Sequence, residues 1–580
     1  MKYYPRLSEL PATRQLIDVF RGYNHNLRIG DGEFYDMKNL SSANYPVLSP
    51  RPKRGVYASP SSIGGIVAKD VLCYVDGSEF VIGHRRIDMG LRLDNEPKTL
   101  VSMGVYVIIM PDKKYINTED LSDYGDIEAS VITTSPVTFT LCKNDGTAFE
   151  GAVVQDTAPT DPKNMALWID TSSVPHALKQ YSSTTAMWVS VASTYIKIAA
   201  TGIGVPFLDG DCVSISGITN LDLADLNTNM IIWSRGDDYI VVTGILDKVT
   251  TQETAVIVTR NMPTMDFIIE SKNRLWGCRY GESATGEIVN EIYASKLGDF
   301  KNWNSFMGIS TDSWVGSVGT DGPFTGAITH SGFPIFFKEG CMHKVYGDSL
   351  PFGIQDTACR GVQKGCSRSL AIVNEVLYYK SRSAVCAYDG SLPVEISAAL
   401  GDVQYSDATA GALGNKYYIS MSDMNNEPHL FVYDTLKGMW HREDSTRARA
   451  FCNSRGDLYY IDAANNKIKT VLGSGELDDS PVKWMAETGV IGTDSPDKKY
   501  ISRLDVRMYL AMGARAYFYI EYDSSGDWQH IYTAKGEDHL RSFAVPIRPL
   551  RCDHLRLRIE GEGLTNIYSI CKTIEQGSDT

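Results

Sequence analysis

The sequence predicts an all-β chain: a β-propeller of roughly six blades, carrying a barrel-like β insertion and followed by a C-terminal β-sandwich. Three observations predict it. Strand-sized apolar runs separated by tight polar turns recur with a period of about forty residues, the period of propeller blades. The composition favours pleated structure, with 32 Tyr and 50 Gly among 580 residues and few long Ala/Glu/Lys/Leu stretches. Near the C-terminus the strands lengthen and alternate, as in Leu555-Arg-Leu-Arg-Ile559, which suits sheets with one buried face.

Residues 1–54 read as an N-terminal arm and closing segment. Leu16, Ile17 and Phe20 share one face of a short helix or arm over residues 8–20. Gly30, Asp31 and Gly32 then supply a tight turn, and Pro46, Pro50 and Pro52 hold the following chain extended. This stretch lies just before the first blade, and the last blade, at Arg449–Leu472, shows three clear strands. Part of Leu27–Leu40 is therefore expected to pair with that blade and close the ring.

Residues 55–125 form the first propeller part, where Asp76-Gly77 between apolar runs is a hairpin signal. Residues 126–259 change character, with Thr-, Ser- and Asp-rich connectors and strands at Val137–Cys142, Tyr195–Ala199 and within Val205–Gly217. They read as an inserted β-barrel-like domain. Residues 260–474 return to blades. One turn motif repeats there between the first two strands of a blade: Asn273-Arg-Leu-Trp276, Asn374-Glu-Val-Leu-Tyr378, Gly414-Asn-Lys-Tyr-Tyr418 and Arg455-Gly-Asp-Leu-Tyr459. Trp276, Trp303 and Trp440 read as core and inter-blade packing. A boundary falls at Gly473–Pro481, and residues 475–580 read as the sandwich.

A net charge of −14 argues against a protein that wraps nucleic acid through its phosphates. It suits a wall past which DNA slides without sticking. The eleven Cys include no C-x-x-C pair, so no zinc site is expected, and they read as reduced, packed residues of a protein assembled inside a cell. Met1–Arg6 lacks the apolar core of a signal peptide, and no apolar run is long enough to span a bilayer. No G-x-S-x-G, P-loop, H-E-x-x-H or EF-hand pattern occurs, so no catalytic residue, cofactor or metal is expected and the chain is read as not an enzyme. His84, His343 and His441 are assigned structural or surface roles. Ser295–Trp303 is loosely like the Asp-box turn of sialidase propellers. The spacing of Arg274, Arg279, Arg360, Arg368 and Arg382 does not favour the arginine cluster that a sialidase needs. Arg51-Pro-Lys-Arg54 reads as a solvated face, or as a contact for an acidic partner or nucleic acid.

Several segments resemble a known group. Phe20-x-Gly22-x-Asn24, Gly32-Glu33-x-x-Asp36-Met-x-Asn39-Leu40 and Tyr45-Pro46-x-Leu48-x-x-Arg51 resemble the opening of phage tail proteins described as stabilisation proteins. That group includes the tail nozzle and tail-hub proteins of short-tailed bacteriophages. Val205–Gly217, the Leu275-Trp276…Ile292–Ser295…Trp303 blade, Lys483-Trp484…Gly489 and Tyr522-Asp523 are similar to the same group. The resemblance implies a structural virion protein in the tail, assembled in the bacterial host cytoplasm. It would form a ring with itself, commonly a hexamer, below the portal-adaptor proteins and in contact with tail fibre or other tail proteins. The ring would extend the DNA channel and retain packaged DNA until ejection, without sequence-specific binding. The alternative from the residues is a propeller-based carbohydrate-binding or glycan-cleaving tail component.

Overall fold

The computed structural model describes residues 12–93, 97–283, 285–478, 481–493 and 498–576. The readings of Met1–Arg6, of residues 8–11 and of positions 479–480 in the boundary lie outside the described residues. The fold is all-β, and its body is a propeller. Seven antiparallel blades of four strands are present among the described residues, rather than six: five are separate sheets, the sixth is one end of a ten-stranded sheet and the seventh is extended by a fifth strand. Their inner strands are Ile63–Ala68, Thr99–Met103, Phe267–Ser271, Gly326–His330, Ala371–Val373, Ser406–Leu413 and Ala448–Ser454. The strand of blade seven packs beside that of blade one, so the ring is closed. The repeated turn motif lies where positive φ is needed. Asn273, Asn374, Gly414, Arg455 and Gly456 all adopt left-handed backbone between the first two strands of their blades.

Ring closure corrects the sequence reading. The clasp is Gly55–Ala58, which pairs antiparallel with Ile468–Thr470 to give blade seven its fourth strand. Glu476–Leu477 then pairs on the other side of Gly55–Ala58, making it a central strand. Leu27–Leu40 does something else. Gly22–Tyr23 lies antiparallel to the outer strand of blade six at Trp440, and Glu33–Lys38 lies parallel to Gly22–Tyr23. On its far side Glu33–Lys38 pairs with Lys483–Thr488 of the C-terminal unit. One ten-stranded sheet thus runs from the inner strand of blade six, through this strap, to Gln529–Lys535. The count missed a blade because Ile63–Ala68 to Arg85–Asp88 and Thr99–Met103 to Tyr124–Asp126 are two complete blades packed into few residues.

The C-terminal unit is a sandwich. One sheet holds Ala12–Ile17, Thr565–Gln576, Lys499–Leu510 and Leu540–Val545, and the other is the outer part of the ten-stranded sheet. Trp484, Ile501, Leu504, Val506, Phe518 and Ile559 fill the space between them. The expected helix is therefore a strand at Ala12–Ile17, in register with the edge of Thr565–Gln576 over six residues. Three apolar positions are too few to hold an isolated helical turn against that ladder.

The insertion leaves blade two after Tyr124–Asp126 and re-enters at Phe267–Ser271 of blade three. A four-stranded and a five-stranded sheet enclose Phe139, Ile198, Phe207, Val213, Ile240 and Val258. A smaller sheet, Val153–Gln155 to Met187–Ser190, packs over Leu141, Ile169 and Leu178. Leu221–Leu226 forms a 3-10 helix whose first turn is capped by the Asn220 side chain. The clasp is directly testable. Val56→Pro removes a ladder donor from a strand paired on both sides and should cost about 3 kcal/mol or more. A lowered denaturant midpoint is expected, with Val56→Ile as the tolerated control. An unchanged midpoint would show that another segment seals the ring.

Candidate functional site

The predicted residues of the opening stretch converge on one junction, between blade six, the clasp and the sandwich. Phe20 is buried and stacks on Phe34 at 5.9 Å. Burying such a ring contributes about 1.5–3 kcal/mol. Gly22 has φ +85°, and a Cβ there would stand 2.3 Å from the Trp440 carbonyl oxygen. Gly32 has φ +88°, with the Val19 carbonyl 2.3 Å from the same imagined atom. These two contacts explain why both positions need glycine. The Asn24 N–H donates to the Phe34 carbonyl at 2.8 Å, and its side-chain oxygen accepts from Asn26 Nδ2 at 2.7 Å. Glu33 Oε2 accepts from the Gly30 N–H at 2.7 Å and holds the turn. Asp36 pairs with Arg442 of blade six at 2.8 Å. Pro46 follows a cis peptide bond and its carbonyl accepts from the Phe20 N–H.

Asn39 is the hub. Its Nδ2 donates to the Lys483 carbonyl at 2.8 Å, and its Oδ1 accepts from Arg51 Nε at 2.8 Å. Arg51 and Arg54 correct the reading of their run as a solvated face or an external contact. Both are buried in the chain's own acidic pocket. Arg54 meets Glu443 Oε2 and Asp444 Oδ2 at 2.7 Å each, and Arg51 lies 3.5 Å from Asp444. Burial would raise the Asp444 carboxyl, but the Arg54 and Arg51 guanidiniums outweigh it and hold it below the usual carboxylate range.

The three tryptophans are core residues. Trp440 donates to the Ile396 carbonyl, Trp276 to the Ser271 carbonyl and Trp303 to the Phe300 carbonyl. The Asp-box-like turn that ends in Trp303 has a further task that its sequence did not reveal. Asn302 Oδ1 accepts from the Cys212 N–H of the insertion at 2.7 Å, and Asn302 Nδ2 reaches Asp211 at 3.4 Å. Asp211 also pairs with buried Arg260. The turn therefore clamps the base of the insertion to blade three.

Beyond this clamp the loop Ser305–Ser313 presents an apolar tip. Phe306, Met307 and Ile309 are 55%, 49% and 54% exposed. The loop that carries the tip is hydrogen-bonded throughout its base. Buried Asp312 accepts from the Met307 and Ile309 N–H groups at 2.5 and 3.1 Å. Arg274 donates to the Ser295, Ser310 and Asp312 carbonyls. Arg274 is thus a structural residue, while Arg360 pairs with Glu395 and Arg368 donates to the Arg449 carbonyl, each at a separate place. His84 is exposed, whereas His343 and His441 are buried. No group of three or more His, Cys, Asp or Glu side chains disposed to hold a metal occurs among the described residues.

Burial pushes the His441 imidazole down to about 3, with Lys416 acting in the same direction. Its folded form stays neutral while the unfolded chain protonates near 6.5. Stability should therefore be full above pH 6.5 and fall by about 1.4 kcal/mol per pH unit on acidification toward the folded value. Melts of His441→Gln at pH 7, 6, 5 and 4 should show a shallower decline than the parent. An equal slope would mean that His441 is not the group responsible.

No family model and no curated protein matches the chain. Solved structures similar to it include the exo-β-1,3-galactanase of Phanerochaete chrysosporium, at 8% identity over 53% of this chain and 94% of that one, with a TM-score of 0.22. An arabinoxylan arabinofuranohydrolase of Bacillus subtilis matches at 8% identity, over 54% of this chain and 94% of that one, with a TM-score of 0.20. The acylaminoacyl peptidase of Pyrococcus horikoshii matches at 9% identity, over 69% of this chain and 49% of that one, with a TM-score of 0.26. The expectation that the chain is not an enzyme finds no support among these neighbours, which are enzymes, glycoside hydrolases among them. At such identities the likeness concerns the fold and assigns no activity to this chain.

Proposed function

We propose that the chain is a ring-forming structural protein of a bacteriophage tail, a nozzle or hub that extends a DNA channel and holds packaged DNA until ejection. The observation that supports this reading most is the apolar tip at Phe306, Met307 and Ile309. Contiguous exposed apolar patches mark interaction sites, and Phe306, Met307 and Ile309 share one short loop. Here buried Asp312 and Arg274 hold that surface in shape. Around it, the strap, the clasp and the clamp join propeller, insertion and sandwich, as the wall of a channel under internal pressure requires. The acidic balance of −14 suits passage of DNA without adhesion. In this reading the tip packs against a neighbouring copy in a ring, commonly of six, below portal-adaptor proteins.

Electron microscopy and light scattering of the purified protein with its adaptor would test this. Rings with a central hole are expected for the parent, and Phe306→Ser with Ile309→Ser should leave folded monomers. A parent that stays monomeric with the adaptor present would sink the reading.

A second reading is a propeller protein that binds or cleaves a glycan, the kind of activity that the names of the galactanase and arabinofuranohydrolase carry for those proteins. The feature of this chain that favours it is an aromatic cluster on the small sheet of the insertion, in which the half-buried Trp188 packs edge-on against buried Trp168 and half-buried Tyr181. Trp188 lies 5.4 Å from both Trp168 and Tyr181, with Lys179 over the Trp168 ring. In this reading the part of the Trp188 ring left open to solvent would pack on a sugar ring. Titration calorimetry with β-1,3-galactan and arabinoxylan oligosaccharides should then show binding that Trp188→Ala abolishes. No heat with either would remove this reading.

A further inference from the structure

Blade four carries a constellation that the ring and the glycan readings leave unused. Cys341 and His343 stand two residues apart on the strand Cys341–Tyr346, and so share one face of it. Asp356 lies directly opposite His343 on Gly353–Ala358. Cys341 Sγ is 3.6 Å from His343 Nε2, and His343 Nδ1 is 2.6 Å from Asp356 Oδ1. A carboxylate accepts, so Nδ1 carries the imidazole proton and Nε2 is left as a base facing the thiol. His343 is fully buried, which fixes its ring, whereas Cys341 is half-buried and Asp356 is half exposed. The edge of Phe324 packs on the imidazole at 6.0 Å.

Two further groups shape the site. Lys338 pairs with Cys341 across the hairpin turn, and its ammonium donates to the Thr320 carbonyl at 2.6 Å. The Thr320 hydroxyl lies 3.0 Å from His343 Nε2 and competes with the thiol for that nitrogen. A thiol with a base at its sulfur, a cation across the turn and partial exposure is the microenvironment in which cysteines react. Most of the other cysteines are differently placed. Burial pushes the thiols of Cys73, Cys212 and Cys452 up to about 12 and that of Cys359 up to about 11.

We propose that Cys341 is a nucleophilic thiol, activated by His343 and oriented through Asp356, and that it is a site of covalent modification by small disulfides. In the step, His343 Nε2 takes the S–H proton and the Cys341 thiolate attacks one sulfur of the disulfide. A new S–S bond forms to Cys341 and the old S–S bond breaks. The departing thiolate carries away the electron pair, and the His343 imidazolium releases its proton to a basic leaving thiolate or, where the leaving thiol is acidic, to solvent. Cys341 is oxidised and the leaving half of the reagent is reduced, so the exchange needs no other reactant. His343 and Asp356 are positioning and proton-holding residues, and the sulfur is the reacting atom.

The test uses the full chain and 5,5′-dithiobis(2-nitrobenzoate), an aromatic disulfide whose released thiolate is followed by absorbance, with mass spectrometry to locate the modified cysteine. Cys341 is expected to react first, at least tenfold faster than half-buried Cys359 and Cys452. His343→Gln should slow it at least tenfold and Asp356→Asn severalfold. Thr320→Val, which frees Nε2, should leave the rate equal or higher. The located rate in the parent protein decides the matter even if a variant fails to fold. Reaction at Cys341 no faster than at Cys359, or an unchanged rate in folded His343→Gln, would overturn the proposal.

Discussion

Everything in this structure depends on how residues 20–58 are gripped. In one pass the chain lays a strap beside blade six, pairs it to the sandwich and then slots a clasp into blade seven. The bend between strap and clasp is fixed by two buried guanidiniums, the buried Glu443 carboxylate and the partly buried Asp444 carboxylate. Removing charges from water is costly, and close opposite partners offset that cost only in good geometry. The arrangement therefore contributes specificity of register. Arg54 meets both Glu443 and Asp444 only when the clasp is in place, and Arg51 reaches Asn39 only when the strap is too.

The insertion is held by a parallel logic. The Asp-box-like turn Ser295–Trp303 points its Asn302 amide at the backbone of another unit. Asp211 sits between Asn302 and Arg260, so blade three and the insertion share a buried polar contact as well as a chain crossing. Buried polar contacts of this sort specify one arrangement, because any slip leaves a donor or acceptor without a partner. The apolar tip springs from the next residues. Its exposed position is set by the same framework that fixes the insertion.

Much of the fold was legible. The blade period, the hairpin turns with positive φ and the alternation in Leu555–Ile559 are local signals, and a chain that obeys them in series has few other folds to adopt. What was not legible was long-range pairing. Nothing in Gly55-Val-Tyr-Ala58 distinguishes a clasp from any other short strand, because its partner lies more than four hundred residues away. The same limit governs the site. Arg51 and Arg54 look like a surface run until Glu443 and Asp444 are brought to them. Phe306, Met307 and Ile309 look like core until Asp312 is seen holding them outward. Gly22 and Gly32 could be marked as turn residues, but the carbonyls they make room for belong to Trp440 and Val19.

The pairing of Ala12–Ile17 with Thr565–Gln576 carries a consequence for biosynthesis. A chain emerging from the ribosome makes the strap first and its partners last. The clasp has no blade seven to enter until residue 470 has emerged, and the first strand of the sandwich waits for residue 570. Local blades can pair as they appear, but the contacts that lock them together are among the most distant that the sequence contains. During that interval the strap exposes Phe20, Phe34 and Leu48, side chains that end in the shared core. Completion of the fold is thus a late latching of parts that can pair locally beforehand, and until it occurs these apolar side chains have no partner.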